Sequence, residues 1–353
     1  MKEIYSDVLQ FRGTHFDFGI FQGEKVKHSL TIKNRENQWK VRKPRFSIDV
    51  QEAKAALLAF APGIWEELRG LQESLGWEME RILQEFGGYR VDYVRSGCSI
   101  MTGKDYLIRN YDYHPKTYEG RYVLFQPSDR GYAIAGPSQR VTGRMDGINE
   151  KGLALGYNFM HRKNPGDGFI CCMIGRLVLE ECATVGEAVS MLKEIPHRHS
   201  FSYVVLDGSG ETFIAETSPR GVEVRQDQAC TNHFEVMKHE NRNHLVDSER
   251  RLSVMRAQGK ELDALDAFRL LNGVENGVFS KQYESWAGTI HTSGYLPREF
   301  KAWMALGGSR MPVEIDFAAW LKGKDLDLEK MTGVVDTDIP FVHMDENADW
   351  FKR

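Results

Sequence analysis

Several features that would assign the chain to a common functional class are missing from its sequence. The 353 residues contain no apolar run close to the ~20 residues that a membrane-spanning helix needs. Residues 1–7 carry no apolar stretch of the kind found in signal peptides. The 46 basic and 50 acidic residues are well mixed and give a net charge of −4, which favours neither a nucleic-acid nor a membrane partner.

Cysteine is also scarce, at five residues, and no pair of cysteines has the spacing of a zinc site. The adjacent Cys171 and Cys172 are poorly placed to form a disulfide with each other. A low, odd cysteine count is typical of proteins in a reducing compartment. We therefore expect a cytoplasmic protein with no metal site.

The first hundred residues are predicted to be largely helical. A strand over 8–13 precedes a helix over 14–24, on which Gly19 and Gly23 share one face and would allow close backbone packing. No Gly-Lys-Ser/Thr follows them, so this is not a phosphate-binding loop, and we expect no cofactor. Residues 28–46 are polar and basic and predict a mobile connection, after which three amphipathic helices cover 50–86.

From Cys98 onward the pattern changes to short strands separated by turn residues. Two helices interrupt them at 174–182 and 185–194, and two more are predicted at 248–258 and 262–271. The last forty residues contain a strand over 313–317, a short helix around Trp320 and an acidic tail. This order, with mostly hairpin-length links, favours an α+β fold of antiparallel sheets covered by helices over a parallel βαβ fold.

The stretch with the clearest chemical potential covers residues 95–112. Cys98 follows Gly97, and a hairpin turning at 102–105 would fold Arg109 and Asp112 back beside the cysteine. A thiol with a cation and a carboxylate close by is suited to nucleophilic catalysis.

The other cysteines offer weaker candidates for a nucleophile. Cys171, Cys172 and Cys182 lie in apolar segments and are most simply core residues. Cys230 lies before Thr-Asn, but no cation is beside it in the sequence. His291, in a strand-like segment, leaves open a cysteine–histidine pair.

Five short motifs occur in a fixed order along the chain. They lie at 97–99 (Gly-Cys-Ser), 109–112 (Arg-Asn-Tyr-Asp), 146–153 (Asp-Gly-Ile-Asn-Glu-Lys-Gly-Leu), 156–159 (Gly-Tyr-Asn-Phe) and 230–232 (Cys-Thr-Asn). Together they resemble the choloylglycine hydrolase and penicillin V acylase group. The chain is closer still to the acyl-CoA:6-aminopenicillanate acyltransferase family, which also has a long segment before the cysteine and a pattern like that at 12–16. The resemblance spans about residues 9 to 308.

This resemblance implies an N-terminal nucleophile hydrolase, with an αββα sandwich of two antiparallel sheets between helical layers. In such families the chain is cut before the cysteine, here between Gly97 and Cys98. Residues 1–97 would then be a helical leading segment and 98–353 the catalytic region, within one integrated domain. The new α-amino group, with an ordinary pKa of roughly 7.7–8.0, would serve as the general base for the thiol.

The resemblance also implies roles for six residues. Cys98 would be the nucleophile, Asp112 would hold its amine and Arg109 would favour the thiolate. Asn232 matches the asparagine that donates to the oxyanion. The remaining matches are a second asparagine, Asn158, and a later arginine, Arg251, for which the neighbouring Arg250 is an alternative.

The function implied is hydrolysis or acyl transfer on a linear amide or thioester of a small molecule. Tyr111, Tyr113, Tyr157 and Phe159 suggest an apolar acyl pocket near the site. Two alternatives stay open: a cysteine hydrolase that acts uncut with His291 as base, and an inactive relative that serves as a binding protein. The sequence also leaves open the natural substrate and whether the Gly97–Cys98 bond is cleaved. The chain could form a homo-oligomer.

Overall fold

The computed structural model describes residues 1–41, 48–91, 97–160, 164–241, 245–258 and 262–348. Within these ranges, none of the helices combines the length and the apolar character that crossing a bilayer requires.

The strands, in chain order, are β1 (Lys2–Gly13), β2 (Gly97–Thr102), β3 (Leu107–Tyr113), β4 (Arg121–Pro127), β5 (Ile134–Gln139), β6 (Gly143–Arg144), β7 (Asp146–Asn149), β8 (Ala154–Phe159), β9 (Phe201–Leu206), β10 (Thr212–Ser218), β11 (Gly221–Arg225), β12 (Ala229–Cys230), β13 (Lys281–Gln282), β14 (Ala287–Leu296), β15 (Lys301–Leu306), β16 (Val313–Asp316) and β17 (Lys330–Val335). The α-helices are α1 (His15–Val26), α2 (Leu30–Val41), α3 (Val50–Phe60), α4 (Pro62–Leu75), α5 (Met79–Ile82), α6 (Cys171–Glu181), α7 (Val185–Glu194), α8 (Val246–Ala257), α9 (Ala264–Asn272) and α10 (Phe317–Leu321). A π-helical turn, Leu83–Gly87, continues α5.

The strands form two sheets. In the larger sheet the order is β11-β10-β9-β8-β7-β5-β4-β1-β17, with β6 paired to β5. In the smaller sheet the order is β12-β2-β3-β14-β15-β16, with β13 paired to β14. Every described pairing is antiparallel except β1 with β4, which run parallel. The expectation of purely antiparallel sheets is wrong there, because the whole leading segment and the β2–β3 hairpin form a long crossover between these two strands.

The two sheets pack face to face, with β2 and β3 of the smaller sheet against β8 of the larger one. Helices α6 and α7 lie on the outer face of the larger sheet, and α8 and α9 lie on that of the smaller. Apolar side chains from both inner faces and from α6 and α7 fill the main core. The predicted α+β fold, an αββα sandwich with a helical N-terminal segment, is confirmed.

Close packing of α1 on α4 depends on glycine. A Cβ added to Gly19 would lie 2.1 Å from the carbonyl oxygen of Glu67, and one added to Gly70 would lie 2.1 Å from that of Phe16. No side chain fits at such distances, so the two backbones meet only because both positions lack one. The predicted close backbone approach at this face of α1 is therefore present.

The prediction of a mobile connection over 28–46 is wrong for its first part, because Leu30–Val41 form helix α2. Ile32 of this helix is buried, and Arg35 forms buried ion pairs with Glu85 and Glu119 at 2.8 and 2.7 Å. The inner face of α2 is thus partly polar, and this hides the apolar periodicity by which a helix is normally predicted. Residues 42–46 lie outside the described residues.

The acidic tail is also only part of the C-terminal structure. Strand β17 lies within it and pairs with β1 along Lys2–Asp7. Its buried residues are Met331, Gly333 and Val335, and only two of these are apolar side chains, next to the charged Lys330 and Asp336. So weak an apolar pattern does not reveal a short edge strand.

Candidate active site

Hairpin β2–β3 positions the cysteine. Thr102 pairs with Leu107 and Cys98 with Tyr111, so the turn lies where the sequence predicts it. Because side chains alternate along a strand, Cys98, Arg109 and Tyr111 face the larger sheet. Asp112 is on the opposite face, where it pairs with Gly97. Residues 95 and 96 of the predicted motif lie outside the described residues.

The Cys98 thiol is 1% exposed and lies 3.0 Å from Nη2 of Arg109. Burial raises the pKa of this thiol to about 11, although the charge of Arg109 opposes the shift. In this arrangement the thiol is protonated at neutral pH, so it needs a base before it can act as a nucleophile.

Arg109 is fixed from several sides. Its Nε and Nη2 donate to the carbonyl oxygen of Tyr157 at 3.1 and 2.7 Å, and Nη1 donates to the carboxylate of Asp146. Asp146 also accepts hydrogen bonds from Ser293 Oγ, at 2.9 Å, and from the Tyr295 hydroxyl. Asp146 opens the 146–153 motif, but the sequence alone predicts no role for it in the site.

The carboxylate of Asp112 lies beside Gly97. Its Oδ1 accepts a hydrogen bond from Thr289 Oγ1 at 2.7 Å, whereas its buried Oδ2 has no hydrogen-bond partner in the described part of the chain and lies 4.0 Å from Nη1 of Arg251. A Cβ on Gly97 would stand 3.3 Å from that oxygen. Burial raises the pKa of Asp112 to about 6, against the lowering effect of Arg251.

Arg251, rather than Arg250, reaches the cysteine. Its Nη1 donates to the Cys98 carbonyl oxygen at 2.8 Å and to Ser99 Oγ at 2.6 Å, and its Nη2 donates to Asn232 Oδ1 at 2.8 Å. The Arg250 side chain is half exposed and bonds to the Gly277 carbonyl oxygen. Consecutive residues on a helix point in different directions, so only one of the two can face the site.

Of the two predicted asparagines, Asn232 contacts Cys98 directly and Asn158 does not. Asn232 Oδ1 accepts a hydrogen bond from the Cys98 backbone nitrogen at 3.0 Å, and its Nδ2 donates to the Phe159 carbonyl oxygen at 2.7 Å. Its carbonyl end is therefore turned toward Cys98. Asn158 bonds to the Cys230 carbonyl oxygen at 2.9 Å, while its buried Oδ1 has no partner among the described residues.

Five of the six predicted residues thus form one contact network, with Asp112 joined to it through Arg251 at 4.0 Å. Asn158 is linked to this network only indirectly, through its hydrogen bond to the carbonyl oxygen of Cys230 in β12. Two of the predicted aromatic residues, Tyr111 and Tyr157, flank the Arg109 guanidinium with ring centroids 5.2 and 5.0 Å from its central carbon.

His291 is separated from the thiol. Cys98 pairs with Tyr111, and Tyr111 pairs with His291, so the three residues lie in one row across three strands. Two strand spacings put the cysteine and the histidine roughly 10 Å apart. The Tyr111 ring stacks on the His291 imidazole at 5.0 Å and stands between it and the thiol.

The remaining cysteines are buried and are not joined in disulfides. Cys230, which has no cation beside it in the sequence, has a pKa raised by burial to about 11, and the charge of Arg225 opposes this rise. Over the described ranges, no group of three or more His, Cys, Asp or Glu side chains is arranged to hold a metal ion.

Comparisons with known proteins give one family and several structural neighbours. The family model described as acyl-coenzyme A:6-aminopenicillanic acid acyl-transferase matches residues 100–311, which is more than half of the chain. No curated protein matches in sequence.

Among solved structures, penicillin V acylase from Agrobacterium tumefaciens is 16% identical, with a TM-score of 0.43 over 63% of this chain and 86% of that one. A conjugated bile acid hydrolase variant from Clostridium perfringens is 14% identical, with a TM-score of 0.48 over 67% and 96%. A Caenorhabditis elegans orthologue of N-acylethanolamine-hydrolyzing acid amidase is 15% identical, with a TM-score of 0.39 over 57% and 93%.

Proposed function

The chain belongs to the acyl-coenzyme A:6-aminopenicillanic acid acyl-transferase family, and from this premise we propose that it is an amide hydrolase or acyltransferase that works through a thioester on Cys98. The substrate is a small-molecule linear amide or thioester, and the acyl group passes from Cys98 to water or to an amine. The observation that carries the proposal is the buried thiol with the Arg109 guanidinium 3.0 Å from its sulfur.

The first step is self-cleavage between Gly97 and Cys98. The thiol adds to the Gly97 carbonyl carbon, the C–N bond breaks and the thiol proton passes to the departing nitrogen, which leaves a thioester between Gly97 and Cys98. Water hydrolyses this thioester to a Gly97 carboxylate and a free thiol. The absence of a side chain at Gly97, with Asp112 packed against it, supports attack at this carbonyl.

Cleavage gives Cys98 a free amine that serves as general base for the thiol. Its ordinary pKa of roughly 7.7–8.0 suits it to accept a proton near neutral pH. Asn232 Oδ1 accepts a hydrogen bond from this nitrogen at 3.0 Å, and Asp112 pairs with the preceding residue, Gly97, across the two strands. We assign them to hold and orient the amine.

In each turnover the thiolate attacks the substrate carbonyl, and the leaving amine or thiol takes the proton held by the Cys98 amine. The negative oxygen of the tetrahedral intermediate requires hydrogen-bond donors. Asn232 is assigned to this role through its Nδ2 amide, which has a second hydrogen besides the one donated to the Phe159 carbonyl oxygen, and Arg251 holds the Cys98 carbonyl and the Asn232 amide in place. Asn158, whose Nδ2 donates to the Cys230 carbonyl oxygen, is assigned to the site as its second asparagine.

Intact-mass analysis tests self-cleavage. The wild-type chain should give two fragments divided between Gly97 and Cys98, whereas Cys98→Ala should stay whole and Cys230→Ala, a buried thiol on the neighbouring strand, should be cut as the wild type is. Reaction with N-acyl amino acids, β-lactams and acyl thioesters should then add an acyl mass to Cys98. A wild-type chain that stays whole and reacts with none of these compounds contradicts the proposal.

An uncut enzyme with His291 as base is less well supported, because Tyr111 stands between the imidazole and the thiol. A His291→Ala variant is expected to keep at least a third of the wild-type rate; loss of ~100-fold or more, the contribution typical of a general base, would favour the histidine mechanism. For a binding protein without turnover, Cys98 should react with iodoacetamide no faster than the other buried cysteines.

A further inference from the structure

A cavity lies on the far side of the larger sheet from Cys98. It has a volume of about 950 Å³ and is bounded by β1, α1, the start of α2 and the segment that leads into β17. This volume is within the usual range for small-molecule sites. Its apolar wall is formed by Leu9, Phe11, Phe21 and Val26.

Arg121, at the start of β4, contributes a buried charge to this cavity. It is 7% exposed, and neither Nη1 nor Nη2 has a hydrogen-bond partner in the described ranges. The next residue, Tyr122, contacts Tyr295 of the smaller sheet and so points between the sheets. Alternation along the strand therefore directs Arg121 away from the Cys98 site and toward the cavity that it lines.

The acidic residues around the cavity compensate the charge of Arg121 only in part. Asp7, which pairs with Arg121 in the sheet, has its carboxylate 3.4 Å from Lys330. Glu119 is bound by Arg35 at 2.7 Å. At the rim, Asp325 is bound by Arg12 at 2.6 Å and Glu329 is exposed.

A buried guanidinium without an anionic partner is costly, since arginine keeps its charge in proteins. Burial lowers the pKa of Arg121, as expected for a cation that no nearby carboxylate fully compensates. Arg121 therefore lacks a negatively charged partner on the side that faces the cavity, next to the apolar wall.

We propose that this cavity is a binding site for an amphipathic monocarboxylate, with the carboxylate on Arg121 and the apolar body along Leu9, Phe11 and Phe21. A carboxylate matches the planar fork of a guanidinium with two parallel hydrogen bonds. The ligand is either a free fatty acid or the carboxylic acid released by an amide hydrolase. The site does not rest on the reaction proposed at Cys98, because the two sites lie on opposite faces of the larger sheet.

Isothermal titration of the full chain with octanoate tests the proposal. Octanoate should bind, and octanol, which lacks the charge, should bind at least ~10-fold more weakly, since a charged hydrogen bond typically contributes that much. Acetate, which keeps the charge but lacks the apolar chain, should also bind at least ~10-fold more weakly, because it loses the burial of methylene groups along the apolar wall. Arg121→Met should weaken octanoate binding at least ~10-fold, and Lys25→Met, which removes an exposed cation at the rim, by less than threefold. Equal binding of octanoate to wild type and Arg121→Met would overturn the proposal, as would the absence of octanoate binding.

Thermal melting shows whether a loss of octanoate binding in Arg121→Met comes from the loss of the binding group or from a poorly folded variant. Arg121→Met should melt at or above the temperature of the wild type, because it removes an uncompensated buried charge, and octanoate should raise the melting temperature of the wild type only. A lower melting temperature for ligand-free Arg121→Met would show that Arg121 serves the fold, and so would contradict a ligand role.

Inorganic phosphate that binds as tightly as octanoate would indicate a simple anion site and would equally overturn the proposal. The two sources of the ligand are separated by titrating a long-chain fatty acid against the acid product of whichever amide labels Cys98.

Discussion

At the scale of single residues, Cys98 differs from the other buried thiols by its contacts rather than by its burial. Burial raises the pKa of both Cys98 and Cys230 to about 11. Only Cys98 has a guanidinium nitrogen within hydrogen-bond distance of its sulfur, among the contacts described. Its reactivity should therefore depend on Arg109.

Arg109→Met should lower kcat/KM by ~100-fold or more, because it removes the cation beside the thiol and leaves Asp146 as a buried unpaired charge. The rate of Cys98 alkylation by iodoacetamide, followed against pH, should reach its half-maximum at higher pH than in the wild type. Asp105→Asn, which breaks an ion pair at the surface, is the control and should leave both quantities within twofold of the wild type. An unchanged alkylation profile in Arg109→Met would contradict the role of Arg109.

Arg251 and Arg250 form a matched pair of neighbours. Arg251→Met removes the donors to the Cys98 carbonyl and to Asn232, so we expect cleavage between Gly97 and Cys98 to slow at least ~10-fold. Arg250→Met removes contacts of a half-exposed side chain and should change the rate by less than twofold. The measurement is the appearance of the two fragments over time by mass spectrometry. Equal cleavage rates in the two variants would be inconsistent with Arg251, rather than Arg250, as the arginine of the site.

At the scale of secondary structure, most elements could be predicted because their apolar periodicity is strong. Helices α3, α4 and α7 and hairpin β2–β3 lie where the sequence indicates them. Helix α2 could not be predicted in this way, since its inner face uses Arg35, whose buried ion-pair partners are 50 and 84 residues away. The same limit applies to the site: motif order indicated six of its residues, but not that Asp146 would hold Arg109 or that Tyr111 would screen His291.

The α1–α4 contact provides a test at this scale. Gly19→Ala should lower the free energy of unfolding by about 1–3 kcal/mol or more, because the added methyl group meets the Glu67 carbonyl oxygen and the two helices have to separate. Gly186→Ala in α7 is the control: its nearest neighbour would be 3.9 Å away, so it should be neutral or stabilise the protein by up to ~1 kcal/mol. Urea unfolding measures both, and equal midpoints would argue against close packing of α1 on α4.

At the scale of the whole molecule, the leading segment is part of the sandwich. Its strand β1 lies inside the larger sheet between β4 and β17, and His15 of α1 lies 3.4 Å from Glu180 of α6. A chain cut at Gly97 should therefore keep both pieces together as two subunits. Co-elution of the fragments in size-exclusion chromatography is the expected result.

The His15–Glu180 contact makes stability depend on pH. Burial lowers the pKa of His15, but Glu180 outweighs this effect and raises the pKa from 6.5 to about 9. The folded state thus holds this proton more tightly than the unfolded state, so the contribution is complete below pH 6.5 and is lost as the pH rises through 9. The free energy of unfolding should fall by roughly 3 kcal/mol over this range.

His15→Gln should remove most of that slope, when unfolding by urea is measured at a series of pH values. His28→Gln changes an exposed histidine close to the C-terminus of α1 and should keep it. A slope of equal size in wild type and His15→Gln would mean that other groups cause the pH dependence.

The position of β1 also bears on how the chain folds as it is synthesised. This strand leaves the ribosome before either of its two neighbours in the sheet, and one of them, β17, follows β4 by roughly two hundred residues. At a translation rate of ~5–20 residues per second, that interval lasts about 10–40 s. Throughout it, one edge of β1 has no partner to pair with, so the nascent chain carries an open sheet edge of the kind that chaperones protect. The pairing of β1 is complete only once β17 has been made.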